Sequence, residues 1–197
     1  MNLRGGAIWG ILWFAACLAD PVDAAGRSFA CLPQPVIEQH RKRHAEQLNA
    51  LRKRNDLAPF HTALSLDQVA QSYACLLAET GHFGHEGPDG SGLAERVSAI
   101  PLDLCGFAEN LARGQRSVGE ALAGWVQSDG HRRNLFDPDL GLVGFGLAPL
   151  PVSSPKSPMQ PLGSLSALSS AVSMGSASGG EQRFVWVQVF GRACKHP

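Results

Sequence analysis

The segment RFVWVQVFG, Arg183 to Gly191, alternates Val185, Val187 and Val189 with Phe184, Trp186 and Phe190. A strand with one wet face alternates apolar with polar residues; here both faces are apolar. Such a strand must be covered on each side, and the covers expected in a mixed chain are helices. A second glycine-rich apolar run, LGLVGFGLA from Leu140 to Ala148, reads as its neighbour, and a third strand passes through Phe107 to Ala112. The fold class expected is α+β: a small antiparallel sheet sandwiched between helical layers.

The helices are legible from period and caps. Helix one is expected from Pro35, suited to a first helical position, to about Asn55. Ile37, His44, Leu48 and Leu51 share its inner face. Arg41, Lys42, Arg43, Arg52, Lys53 and Arg54 wrap the rest and read as a solvated surface. Helix two follows from Ser65 and Gln68, a capping-box pattern, with Leu66, Val69, Ala70, Tyr73, Ala74 and Leu77 at helical spacing, and ends near Thr80-Gly81. A short helix fits Leu93 to Ser98. Another starts at Ser117, with Glu120 three residues on, and Gly130 is placed to stop it.

The first 24 residues carry Arg4 and an apolar run from Ala7 to Ala19, too short to span a bilayer stably. They read as a secretory signal ending before Ala25; a second reading takes Phe14-Ala15-Ala16-Cys17 as a lipobox, with Cys17 lipidated. Both place the mature chain outside the cytoplasm, secreted or periplasmic, with no transmembrane helix. The remainder, 31–194, is one domain, interrupted at about 149–182 by a Ser-, Pro- and Gly-rich stretch with the composition of a flexible insertion. With 17 basic and 17 acidic side chains, no charge excess draws the chain to nucleic acid.

Cys31, Cys75, Cys105 and Cys194 in an exported chain imply two disulfides among three connectivities. On helix two Cys75 is expected to point away from the apolar stripe, toward a segment crossing that face. This favours Cys75–Cys105 and leaves Cys31–Cys194, each bridge contributing roughly 2–4 kcal/mol.

The chemistry must come from histidines and acids. No HExxH is present, since His85-Glu86 runs into Gly87-Pro88. Nor is there a GxSxG, a Walker loop or a dinucleotide fingerprint. His40 and His44 lie one turn apart, but three neighbouring cations oppose a divalent ion, and partial burial accounts for them. His61, His82, His85, His131 and His196 remain. FGHEGPDGSG, Phe83 to Gly92, taken alone is a turn-rich exit from helix two.

The order of several short motifs narrows this further. Leu48-Asn49-Ala50-Leu51-Arg52, then FGHEGPDGSG, AENLA at Ala108–Ala112, WVQSDGHRRNL at Trp125–Leu135, VGFG at Val143 and WVQVFG at Trp186 resemble, in order, the CAP superfamily. These are the cysteine-rich secretory, antigen-5 and pathogenesis-related proteins, here in the bacterial SCP-like form. The resemblance implies a three-layer α-β-α sandwich with a central cleft carrying His85, Glu109 and His131. Ser128 stands where many relatives have a second acid. It also implies, in some members, a divalent metal on the two histidines, zinc or another, here with partial occupancy because two protein ligands make a weak site. Two functions follow. The first is a ligand-binding or interaction module for a small hydrophobic ligand or a cell-envelope component, without catalysis. The alternative is a periplasmic zinc-assisted hydrolase of peptide or cell-wall amide bonds, with His85 and His131 on the metal and Glu109 as general base.

Overall fold

The computed structural model describes residues 31–151 and 182–194. The signal-peptide reading of 1–24, Cys17, His196 and all but the ends of the 149–182 insertion lie outside the described residues.

Among the described residues nine elements follow in chain order: α1 (Gln34–Lys53), β1 (His61–Thr62), α2 (Leu64–Thr80), α3 (Leu93–Ser98), β2 (Leu104–Gln115), α4 (Val118–Gln127), α5 (Asp129–Phe136), β3 (Leu142–Pro149) and β4 (Phe184–Ala193). They build one four-stranded sheet in the order β1-β3-β4-β2. The doubly apolar strand is β4, and it sits inside the sheet as its sequence requires. Phe190 and Trp186 face a core shared with α1, α4 and α5; Val185, Val187 and Val189 face a second core shared with α2 and α3. The molecule is therefore an α-β-α sandwich.

The sheet is not wholly antiparallel. β3–β4 and β2–β4 are, but β1 pairs parallel to β3 through His61↔Leu142 and Thr62↔Val143. Two residues carry too little period to be read as a strand. Gly144 and Gly146 let α2 lie directly on β3: a Cβ at either would fall within 3.0 Å of the α2 backbone at Leu66–Asp67 or Ala70–Gln71.

Several local expectations are corrected. Ser65 does not cap α2; the cap position is Ala63, and no side-chain bond closes it. Ser117 does cap α4, accepting the Glu120 N–H. Gly130 does not end that helix. The break comes at Ser128, whose extended backbone starts a new helix, α5, and Gly130 lies inside it. Arg52 is not solvated but 1% exposed. It stacks over Phe60 and donates to the carbonyls of Ala58, Leu135 and Asp137, tying α1 to the end of α5. Arg41 is half-buried, donating to Phe145 O and Asp67 O. A guanidinium satisfies several carbonyls at once, which periodicity cannot show.

The disulfides are Cys31–Cys75 and Cys105–Cys194, not the pairing expected. Cys75 is 3% exposed and packs in the core under α2. The face it occupies is crossed by the chain just before α1, whereas Cys105, on the edge strand β2, lies beside the end of β4.

Candidate functional site

Period-2 alternation sends adjacent residues of β2 to opposite faces of the sheet. Glu109 shares its face with Leu111, toward α2 and α3; Asn110 faces α1, α4 and α5. Each half of the Glu-Asn pair then organises one half of the site.

On the Glu109 side, His85 Nδ1 donates to Oε1 at 2.8 Å and Arg96 Nη2 donates to Oε2 at 2.9 Å. The carboxylate is 2% exposed and the Arg96 side chain 11%, whereas the His85 side chain is 61% exposed. Arg96 also donates to the carbonyls of Ser91 and His85 and lies 3.6 Å above the Tyr73 ring. Tyr73 in turn donates its hydroxyl to Gly84 O at 2.6 Å. The turn-rich loop is thus pinned at Gly84, His85 and Ser91 by side chains from α2 and α3. With both Glu109 oxygens accepting, the proton of the His85 bond sits on Nδ1, and Nε2 lies outside that bond.

On the Asn110 side, the side-chain amide donates to His131 O at 3.2 Å and to Gln188 Oε1 at 3.0 Å. Asn134 donates to Asn110 Oδ1 and reaches Glu109 O. Gln188, accepting on its oxygen, donates from its side-chain nitrogen to His44 Nε2. Burial holds His44 down to a pKa of about 3, so it remains a neutral acceptor stacked on Phe145. This chain fixes α5, and hence His131, against the edge strand. His131 is pushed below the ordinary histidine range, first by burial and then by the charge of His85, so it is neutral at pH 7.

His85, Glu109 and His131 therefore gather around the outer edge of β2, with Ser128 one turn before His131 at the α4–α5 break. Ser128 acts through its backbone, taking the Arg132 N–H on its carbonyl; its side chain does not cap α5. His61 lies exposed on β1, and His82 is engaged with Glu86 O. Glu86 takes no part in the His85–Glu109 bond. Among the described residues no three His, Cys, Asp or Glu side chains come close enough to form a metal cage. Sequence reasoning missed Arg96, Tyr73 and Asn134; a lone arginine in a six-residue helix carries little signal. A groove of about 450 Å³ runs between α1 and α4, lined in part by Leu51, Arg54, Leu122 and Val126.

Comparison with known proteins agrees with this architecture. An outer surface protein from Borrelia burgdorferi superposes with a TM-score of 0.57 at 19% identity, covering 78% of this chain and 92% of that one. An extracellular protein containing a SCP domain from Bacillus anthracis gives 0.54 at 19% identity, covering 82% and 44%. In sequence, the uncharacterized protein YkwD of Bacillus subtilis is 24% identical over 110 residues, 56% of this chain, and the uncharacterized membrane protein YlbC is 26% identical over 99. The matched stretches span only 43% and 29% of those curated relatives. The model of the cysteine-rich secretory protein family, CAP, matches residues 45–153, more than half of the chain. The ordered motifs, the sandwich and this match together make the chain a member of the CAP family.

Proposed function

We propose that the chain acts outside the cytoplasm as a binding module whose ligand is received at the His85–Glu109–His131 cleft. The observation that carries this reading is the state of Glu109. A general base needs a free carboxylate oxygen within reach of the proton it takes. Glu109 is 2% exposed and has one oxygen on His85 and the other on Arg96. It orients His85 instead. The exported and surface-exposed character of the superposed relatives supports the location.

A divalent ion fits this donor set only loosely. His85 would offer Nε2 and His131 a neutral imidazole, with Glu109 behind His85 as the partner that fixes the ring. Zinc suits two imidazoles, and such an ion would polarise a bound ligand or water. The groove between α1 and α4 has the apolar lining a small hydrophobic ligand would use.

The test compares the wild-type chain with His85→Ala and Glu109→Ala by zinc titration calorimetry and by turnover on casein and peptidoglycan. Weak zinc binding, lost in His85→Ala, and no zinc-dependent turnover are expected. Turnover that needs zinc and vanishes in both variants would instead establish the hydrolase.

A further inference from the structure

The sheet has two outer edges, and the protein treats them differently. Unpaired edges invite another strand and are normally blocked. Along β3, past the two-residue β1, the outward backbone groups are taken one by one. Val143 O accepts the Ala63 N–H; Phe145 N–H goes to Asp67 Oδ1 and its carbonyl takes Arg41 Nε. The Gln71 side-chain amide pairs with both groups of Leu147, as a neighbouring strand would.

The same alternation fixes which residues of β2 face outward. With Val143, Phe145 and Leu147 pointing away from β4, the β3 residues that bond β4 are Leu142, Gly144, Gly146 and Ala148, whose partners include Val189 and Val187. Phe190, Gln188 and Trp186 are then left to bond β2, through Ala108, Asn110 and Ala112. Phe107, Glu109 and Leu111 must point out. Two of them confirm it: Leu111 O accepts Trp125 Nε1 at 2.9 Å, and Glu109 O is reached by Asn134. At the other end Cys105 O accepts from Arg192. Between these closures Phe107, 42% exposed, presents both its N–H and its carbonyl with no partner among the described residues.

We propose that this window is a docking strip for an extended peptide, which adds to β2 as a fifth strand and runs on into the His85 cleft. The inference rests on the reading of that cleft as a binding site, and it names the ligand class. Backbone groups are complemented by backbone, and Phe107 laid antiparallel to a peptide exchanges both bonds with one facing residue. The peptide residue two further along passes Glu109 and the exposed His85 ring. Phe83, 44% exposed and two residues before His85, offers a second apolar surface for its side chains. The window is bounded at Cys105 and Glu109, too short to seat a second copy, whose stable interface needs roughly 1,200 Å² or more.

The experiment screens the full chain against a phage-displayed library of random nonapeptides, then resynthesises the best binder and measures it by fluorescence anisotropy. Phe107→Pro deletes the outward N–H and leaves the bonds to β4, a position where an edge strand tolerates proline. Binding is expected to weaken at least tenfold in Phe107→Pro at unchanged melting temperature. Independently of any protein variant, N-methylation of the one peptide residue that faces Phe107 should abolish binding, and N-methylation of its two neighbours in sequence should not. Equal binding to Phe107→Pro, an N-methyl scan in which no single position abolishes binding, or no enriched peptide would each overturn the proposal. Loss of binding in His85→Ala with none in Phe107→Pro would overturn the strip while leaving the cleft reading intact; the reverse would remove the cleft and keep the strip.

Discussion

At the scale of single residues, Arg96 is where the site is most vulnerable. It neutralises a buried carboxylate, holds two loop carbonyls and stacks on Tyr73. Removing one partner of a buried ion pair leaves an uncompensated charge. Arg96→Ala should therefore lower stability by about 3 kcal/mol in urea unfolding. Arg96→Lys should recover only part, because an ammonium cannot reproduce the planar fork. A second residue-scale balance concerns acid. Burial raises Asp67 from 3.8 to about 6, against the opposing pull of Arg41. Its folded form binds the proton more tightly than the unfolded chain, so its contribution rises as pH falls from about 6 toward 4. His44 runs the other way. Lowered from 6.5 to about 3, it costs stability progressively between those values as the unfolded chain takes up the proton first. The two meet at Phe145, which stacks on His44 and donates its N–H to Asp67. Asp67→Asn should unmask the histidine, giving a loss of about 1.4 kcal/mol per pH unit between pH 6 and 4, against a flatter wild-type profile. Denaturant melts across that range check it.

At the scale of elements, the α2–β3 contact depends on missing side chains. The α2 backbone lies so close to β3 that the methyl of Gly144→Ala has no room. It should cost about 3 kcal/mol, at the upper end of overpacking, and be visible as a lower thermal midpoint. Gly124, inside α4 with open space around its Cα, is the control: Gly124→Ala should stabilise by about 0.5–1 kcal/mol. The elements themselves were largely legible. α1, α2 and the three long strands follow from apolar period, α4 from Ser117 and its neighbours, and the short α3 was expected at Leu93–Ser98 without a stripe to mark it. α5 was not, because Gly130 next to Ser128 imitates a helix stop, and a polar helix of eight residues has no stripe of its own. β1 was not, because two residues make no pattern.

At the scale of the whole molecule, two bridges staple the sandwich across different layers. Cys31–Cys75 ties the entry to α1 onto α2 across 44 residues; Cys105–Cys194 joins the ends of β2 and β4 across 89. Closure entropy grows slowly with length, so each should contribute about 4 kcal/mol, with the second slightly larger. Peptide mapping under non-reducing conditions should recover these two pairs. Serine replacement of either pair should give comparable losses in unfolding free energy.

The sequence by itself determined the layers. A strand apolar on both faces must lie inside a covered sheet, and the amphipathic helices around it are its covers. His85, Glu109 and His131 were singled out only by the order in which their segments resemble the family's motifs, since no one segment marks a site by itself. Only the tertiary structure decided what those residues touch. Arg96 occupies the second oxygen of Glu109, Cys75 faces the entry of the chain rather than β2, and Arg52 is buried under three carbonyls. These outcomes depend on which groups from distant segments meet in one small volume. Local period records which face is apolar; it carries no account of which carbonyl or carboxylate will be waiting there.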